Sequence, residues 1–207
     1  TFSRQQNCTF FMTLFAAFTT LIHRLTSQND FVVATAVSGR TEAERTGLIG
    51  YCSHLLPIRH QLDPQRPFTE HLAQTRRRLL DGYEHEAYPF AWLLEALHEQ
   101  PRGHHTALTS IIFNLDRPMS LPSLGAAACQ PYAVPQPAQG FDLMVNVMEI
   151  NQEIILDCDY STALLDDTTV ERWLGHWQIL LTAITDQPQM PIGTLPLLTT
   201  AEYQQIV

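Results

Sequence analysis

The sequence is poor in cysteine and has no long hydrophobic run. No apolar stretch reaches the ~18 residues that a membrane span needs, and no secretory signal opens the chain, so no membrane association is expected. The cysteines lie far apart, with no CxxC or other metal-ligand spacing, which argues against a zinc site or a disulfide framework. They are Cys8, Cys52, Cys129 and Cys158. We therefore expect reduced thiols and a cytoplasmic location.

Positive charge is also scarce, since the chain has no lysine. Its 12 arginine residues stand against 21 aspartate and glutamate residues, for a formal net charge of −9. No nucleic-acid partner is expected, because binding a phosphate backbone depends on clustered cationic side chains. The remaining composition, 45% hydrophobic and 16% charged, is typical of a globular domain.

Common catalytic signatures are missing. The sequence contains no GxGxxG, GxxxxGK, GxSxG or HExxH pattern, which argues against dinucleotide binding, a P-loop, a nucleophile elbow and a zinc protease site. The pair His104-His105 resembles the start of an HHxxxDG acyltransferase signature, but Thr109 and Ser110 occupy the places of its aspartate and glycine. Nothing in the motif would then orient the imidazole for proton transfer. No catalytic residue and no metal ligand is assigned.

Hydrophobic periodicity predicts the order helix, two strands, two helices, one strand, a long loop, a hairpin and a helix. The predicted helices are residues 11–25, apolar on one side only; 68–83; a shorter helix with Pro89 in its first turn and Phe90, Leu93, Leu94 and Leu97 inward; and one opened by a capping box of Thr168 and Glu171. The predicted strands are residues 31–37, 50–58, 107–115, 141–148 and 154–160. Pro57 confines the second strand to a sheet edge or a bulge.

This order predicts an α/β layered lobe with helices packed on a mixed β-sheet. In the strand at 107–115, Ser110 and Asn114 share a face that mixes polar and apolar groups, as the lining of a cavity would. We assign residues 1–187 to the lobe. Residues 188–207, with a second capping box of Thr199 and Glu202, are predicted to be a linker toward a following domain.

Ordered segments covering nearly the whole chain resemble the condensation domains of nonribosomal peptide synthetases. The segments are LFAAFTTLIHRLTSQNDFVVATAVSGR (14–40), IGYCSHLLPIR (49–59), HEAYPFAWLLEAL (85–97), FNLDRP (113–118), the hairpin and helix at 141–181, and LPLLTTAE (195–202). They are similar to the family's "PVxGR", "IGxFxNTLPLR" and "HQDxPFExLVExL" patterns, its closing hairpin and helix, and its linker to an adenylation domain. The chain departs from the family at His54, where asparagine is usual, and after Arg102, where the family's pattern is largely lost.

The resemblance implies half of a two-lobed domain like chloramphenicol acetyltransferase. This chain would be the C-terminal lobe, supplying a tunnel wall and a crossover segment, and the HHxxxDG motif would precede Thr1. In the intact domain, an acceptor amine attacks a donor thioester and an amide forms, so the fragment alone is expected to be inactive. No cofactor is expected to bind directly; phosphopantetheine arms of partner carrier proteins would enter the tunnel. The implied partners are the N-terminal lobe, peptidyl carrier proteins and an adjacent adenylation domain.

The resemblance also implies site residues. Arg40 would be the structural partner of the motif aspartate in the other lobe, although a solvated arginine at a strand end explains it equally well. Ser110, Asn114 and His54 are the candidates for lining the tunnel.

Two other functions stay open. One is a degenerate, non-catalytic lobe that binds a carrier protein or a neighbouring domain. The other is a carrier-independent acyltransferase of the same broad fold, which would need its own histidine and aspartate pair; none is apparent. If the lobe lacks its mate, a large apolar surface should be exposed or covered by another chain.

Overall fold

The computed structural model describes residues 2–40, 47, 49–99, 108–116, 125, 140–150 and 153–206. Its elements in chain order are α1 (Phe2–Gln5), α2 (Phe10–Thr26), β1 (Asp30–Val37), β2 (His54–Gln61), α3 (Phe68–Glu84), α4 (Phe90–Ala96), β3 (Ile111–Asp116), β4 (Leu143–Ile150), β5 (Glu153–Tyr160), α5 (Asp167–Asp186) and α6 (Thr200–Ile206). In this described part of the chain, no helix is both long enough and apolar enough to cross a membrane.

The strands form one mixed sheet in the order β2-β1-β3-β4-β5. The outer pairs β1–β2 and β4–β5 are antiparallel, whereas β3 runs parallel to both of its neighbours. Pro57 pairs with Ala34 and lies on β2, at the sheet edge. A proline cannot donate to a second neighbour, so the predicted edge position is confirmed. The predicted α/β class with a mixed sheet is also confirmed.

Helix α2 is the centre of the helical layer. Its residues Met12 to His23 are all buried, and the helix packs against both α3 and α5. The prediction that α2 is apolar on one side only is therefore wrong. Its polar residues can enter the core because the hydroxyls of Thr19 and Thr20 donate to the carbonyl of Ala16, at 3.0 and 2.9 Å, so that no hydroxyl donor is left unsatisfied.

Four aromatic rings join α2, β3 and α5. The ring of Phe113 on β3 lies 5.7 Å from Phe15 and 4.8 Å from Phe18, both on α2, and 5.7 Å from Trp177 on α5. All four side chains are at most 2% exposed. Aromatic side chains bury more apolar area than other residues, so this cluster is the main anchor of the helices on the sheet.

Several predicted boundaries need correction. Strand β2 begins at His54 rather than Gly50, and β3 begins at Ile111 rather than residue 107. Helix α5 is not opened by a Thr168–Glu171 capping box; its N-cap is Asp166, whose Oδ1 accepts the Thr169 N–H at 2.8 Å. Aspartate and threonine are both favoured N-cap residues. In this helix Asp166, two positions before Thr168, is the N-cap.

Helix α4 agrees only in part with the predicted inward face. Phe90, Leu93 and Leu94 are partly buried, but no residue of the helix is fully buried, and Leu97, which follows it, is 50% exposed. The chain around α4 thus presents apolar side chains to its surface. The hydrophobic periodicity correctly predicts a helix here. It does not show whether the apolar side chains of that helix are covered by other residues of this chain.

The segment after α5 returns to the core. Ile192 and Leu195 are completely buried, and Arg24 of α2 donates to the carbonyl of Leu195. The predicted Thr199–Glu202 capping box is confirmed, since Glu202 N–H donates to Thr199 Oγ1 at 3.1 Å and Thr199 N–H donates to Glu202 Oε2 at 2.7 Å. That the segment leads into a following domain stays a prediction.

Candidate functional site

Three of the four predicted site residues lie near one end of the sheet, where β1 and β3 finish. His54 pairs with Val37 at the end of β1, Arg40 follows that strand, and Asn114 lies two residues before the end of β3. Ser110 is not among them. It precedes β3, four residues from Asn114, which is roughly 13 Å along an extended chain. The structure therefore separates Ser110 from the other three residues.

Asn114 connects β1 to β3. Its side chain is nearly buried, at 7% exposure, and its Oδ1 accepts from the Ala36 N–H at 2.7 Å and from the Thr35 hydroxyl at 3.2 Å. The backbone register between these strands consists of the single pair Ala34 and Ile112. The side-chain carbonyl of Asn114 thus takes the place of backbone hydrogen bonds where β1 and β3 diverge. Any contact of the Asn114 side chain with a ligand would therefore come from its amide nitrogen.

Asn146 and Asp116 extend this polar group, and the sequence analysis missed both. Asn146 is opposite Asn114 in the parallel register of β3 and β4, and its Nδ2 donates to Asp116 Oδ2 at 2.7 Å. The Oδ1 of Asn146 is buried and has no hydrogen-bond partner among the described residues. An unsatisfied buried acceptor costs free energy, and a ligand N–H placed here would satisfy it. The sequence did carry a signal, since Asn146 stands between Met144 and Met148 on one face of a predicted strand.

Arg40 and His54 contact their own surroundings. Arg40 Nη2 donates to the carbonyl of Gly50 at 2.8 Å, and the arginine is partly exposed. His54 Nε2 lies 2.7 Å from the carbonyl of Glu86. Because a carbonyl only accepts, Nε2 is the donor of this contact, and Nδ1 lies 3.5 Å from the carbonyl of Cys52. His54 therefore connects the start of β2 to the turn between α3 and α4. That His54, Ser110 and Asn114 line a tunnel, and that Arg40 contacts an aspartate of another lobe, stay predictions.

Gly39 determines how the chain reaches Arg40. Its φ is +61°, and an added Cβ would overlap the carbonyl oxygen of Cys52. We expect Gly39→Ala to lower the free energy of unfolding by about 2 kcal/mol, since a left-handed conformation alone costs an L-residue ~1–2 kcal/mol and the overlap adds to it. Urea denaturation followed by circular dichroism measures the change.

Gly175→Ala is the matched control for that substitution. Gly175 lies inside α5 and an added Cβ would meet no atom within 4 Å, so this change should stabilise the protein by ~0.5–1 kcal/mol. Equal effects of the two substitutions would contradict the conformational requirement at Gly39.

Metal chemistry has no support in the described ranges, where no three His, Cys, Asp or Glu side chains are grouped to hold an ion. The His104-His105 pair lies outside the described residues. What the site does offer is the side-chain amides of Asn114 and Asn146, the carboxylate of Asp116 and the hydroxyl of Thr35. Such groups can position a polar ligand, and they are not arranged as a proton-transfer pair.

Comparison with protein families identifies the chain. The family model of the condensation domain matches residues 1–207. A linear gramicidin synthase of Brevibacillus parabrevis is 32% identical over 210 residues, covering 100% of this chain and 3% of that relative. Surfactin synthase subunit 1 of Bacillus subtilis (strain 168) is 31% identical over 201 residues, covering 97% of this chain and 6% of that relative. The chain thus spans only a small part of these proteins.

Solved structures show the same fold. A four-domain nonribosomal peptide synthetase, holo-AB3403 bound to AMP and glycine, superposes with a TM-score of 0.86 at 21% identity, over 97% of this chain and 16% of that one. The condensation domain of the monacolin K polyketide synthase MokA superposes with a TM-score of 0.80 at 20% identity, over 92% of this chain and 44% of that one. The fold of this chain is therefore that of these solved structures. The chain belongs to the condensation-domain family, so the predicted family is confirmed.

Proposed function

We propose that this chain is the C-terminal lobe of a condensation domain that joins carrier-bound aminoacyl or peptidyl thioesters through an amide bond. It supplies the tunnel wall and a crossover segment, and the histidine that handles the proton belongs to the other lobe. One observation carries the proposal: 92% of this chain matches only 44% of the solved MokA condensation domain. The proposed partners are therefore the N-terminal lobe, peptidyl carrier proteins and an adjacent adenylation domain.

The exposed surface around α4 supports the proposal that a second lobe packs against this chain. Tyr88, Trp92 and Leu97 are 52%, 60% and 50% exposed, and the rings of Tyr88 and Trp92 are in contact, with centroids 6.1 Å apart. Neighbouring exposed apolar side chains of this kind mark surfaces that another protein covers. We assign this surface to contact with the N-terminal lobe.

The polar group at the sheet end fits the proposed tunnel. The amide of Asn114, the unpartnered Oδ1 of Asn146 and the carboxylate of Asp116 lie together, and phosphopantetheine arms carry amides that can donate to such acceptors. Arg40 has five N–H donors, and Gly50 is the acceptor of only one of them. The remaining donors suit its proposed role toward an aspartate of the other lobe, while Ser110 would line the opposite mouth.

Reconstitution tests this function. We expect the chain alone to form no amide from loaded donor and acceptor carrier proteins. We expect product when the chain is joined to a condensation-domain N-terminal lobe that carries HHxxxDG. Mass spectrometry of the acceptor carrier protein measures the product, and substitution of the motif histidine is the control. Turnover by the chain alone at an ordinary enzymatic rate, about 1 per second or faster, would contradict the proposal.

A non-catalytic lobe is the second candidate. The observation that favours it is the engagement of His54 with the Glu86 carbonyl, which leaves no described imidazole at the sheet end paired with a carboxylate. In that case the joined protein would bind a loaded carrier protein without forming an amide. The same reconstitution therefore separates the two functions.

A further inference from the structure

The side chains of helix α6 that the structure describes, from Thr200 to Gln205, give it almost no apolar anchor. Of its side chains Thr200 to Gln205, only Glu202 is partly buried, and Tyr203 is 60% exposed. A helix of seven residues is not stable by itself in water. Because burial of an apolar face normally holds such a helix in place, a different interaction has to do so here.

Glu202 makes that interaction through its two carboxylate oxygens. Its Oε2 accepts the Thr199 N–H at 2.7 Å and the Thr199 hydroxyl at 2.8 Å, which caps α6 itself. Its Oε1 lies 2.9 Å from Nε2 of His176 on α5. In the described part of the chain, this is the only hydrogen bond that joins α6 and its cap residue Thr199 to the rest of the protein. The His176 side chain is 8% exposed, so water competes poorly for the contact.

The chain just before α6 is firmly held. Ile192 and Leu195 are completely buried, Arg24 donates to the Leu195 carbonyl, and Pro191 forms a bridge with Pro67. From Leu195 onward, the next described hydrogen bond to the body of the protein is that of Glu202. Leu197 is partly buried and also packs against the core. Residues 198–199 therefore separate a fixed point from a helix whose position depends on one side-chain pair.

We propose that Glu202 and His176 form a latch that holds α6 on α5 and fixes the direction in which the chain continues. With the latch closed, α6 is capped and docked. With it broken, α6 leaves α5 by rotation at residues 198–199 and loses its helical hydrogen bonds. The identity of the oriented partner, an adenylation domain, rests on the proposed function; the latch itself does not.

Hydrogen–deuterium exchange of the full chain, read on peptides that cover residues 199–207, tests the latch. In the wild type, the α6 amides should be protected. His176→Ala should speed their exchange about tenfold or more, the change expected for loss of a hydrogen bond to a charged group. Gln178→Ala, an exposed position on the same helix, is the matched control and should leave α6 unchanged. Amides of α2 should keep their protection in every variant.

A second variant covers the risk that replacing the buried His176 unfolds the protein. Glu202→Gln keeps a residue that is accepted in capping boxes but removes the negative charge, so it should also speed α6 exchange. In the double variant, the two effects should not add, because both remove the same interaction. Unprotected α6 amides in the wild type, unchanged exchange in either stable variant, or additive effects would overturn the latch. None of these readouts needs amide formation, so a failure of the proposed function leaves them interpretable.

Discussion

Acidification from pH 7 to pH 4 is expected to destabilise the protein by roughly 3 kcal/mol through His71 alone. This side chain is buried in the core, where its Nε2 lies 3.0 Å from the Thr19 hydroxyl and 3.2 Å from the Ala16 carbonyl. The pKa of His71 is lowered from 6.5 to about 4, mainly by burial. The hydrogen bond to the Ala16 carbonyl raises the pKa, and the nearby charges of Arg78 and His23 lower it further. At ~1.4 kcal/mol per pKa unit, the whole difference is worth about 3.5 kcal/mol. Roughly 3 kcal/mol of it is lost by pH 4, where His71 of the folded protein is half protonated.

The sign follows from which state binds the proton first. As pH falls below 6.5, the unfolded chain takes up a proton on His71, whereas the folded protein does so only near pH 4. Stability is therefore complete above pH 6.5 and is lost between 6.5 and 4. Carboxyl groups act in a lower window: hydrogen bonds lower the pKa of Asp30 and Asp166 below 3.8, and that of Glu202 from 4.5 to about 2. Their contribution is present above pH 4.5 and falls away below it.

His60 adds to the loss in acid. It is completely buried on β2, and neither ring nitrogen has a hydrogen-bond partner in the part of the chain that the structure describes. Its neighbours are the rings of Phe15, Phe31 and His71, at centroid distances of 5.1, 5.8 and 6.4 Å. Burial holds the pKa of His60 well below 6.5, and the charges of His71 and Arg78 lower it further. A protonated imidazole here would have no counter-charge, so its uptake of a proton accompanies unfolding.

Urea denaturation at pH 7, 6, 5 and 4 measures this dependence. His71→Gln keeps a donor for the Ala16 carbonyl but cannot be protonated, so the slope of unfolding free energy against pH should become shallower between 6.5 and 4. His85→Gln, at an exposed position, is the control and should keep the parent slope. Equal slopes for all three proteins would show that His71 does not cause the loss.

Phe113→Ala is expected to cost about 3–5 kcal/mol in the free energy of unfolding, the range for removing a buried aromatic ring. Phe113 is completely buried and contacts Phe15, Phe18 and Trp177, so its loss leaves a cavity that touches α2 and α5 at once. A change of this size approaches the whole stability of many domains. Thermal and urea denaturation followed by tryptophan fluorescence measure it.

Leu80→Ala is the control, because Leu80 on α3 is 42% exposed and surface changes usually stay within ~0.5 kcal/mol. Phe113→Leu should fall between the two, since it keeps part of the buried volume. A cost for Phe113→Ala below about 1 kcal/mol would mean that the aromatic cluster does not anchor the helical layer.

Local patterns were sufficient to predict most of the fold. The alternation in β4 and β5 and the stripe of α3 follow directly from side-chain spacing, because each element presents one face to a single layer. The interpretation of α2 was wrong for a physical reason. Thr19, Thr20 and His23 count as polar in a periodicity argument, yet all are buried, and the two threonine hydroxyls are satisfied by the Ala16 carbonyl. Sequence spacing does not show such side-chain-to-backbone bonds.

The candidate site was predicted only in part, because it depends on strand register. Asn114 was selected from the alternation of its own strand, but its neighbour Asn146 lies in a strand that starts about 30 residues later and becomes adjacent through parallel pairing. The partner of His54 is a carbonyl in a turn beyond α3, which no pattern near His54 encodes. The latch between His176 and Glu202 was missed in the same way, although the capping box at Glu202 was recognised.

The placement of Trp177 has a consequence for biosynthesis. The other three rings of the cluster are translated earlier, with Phe15 and Phe18 in α2 and Phe113 in β3. Until α5 leaves the ribosomal exit tunnel, Phe18 and Phe113 lack the indole that packs against them. A nascent chain that pauses before that point would expose apolar surface and is expected to bind holdase chaperones. Once α5 has left the exit tunnel, the chain can bury this surface and should no longer bind them.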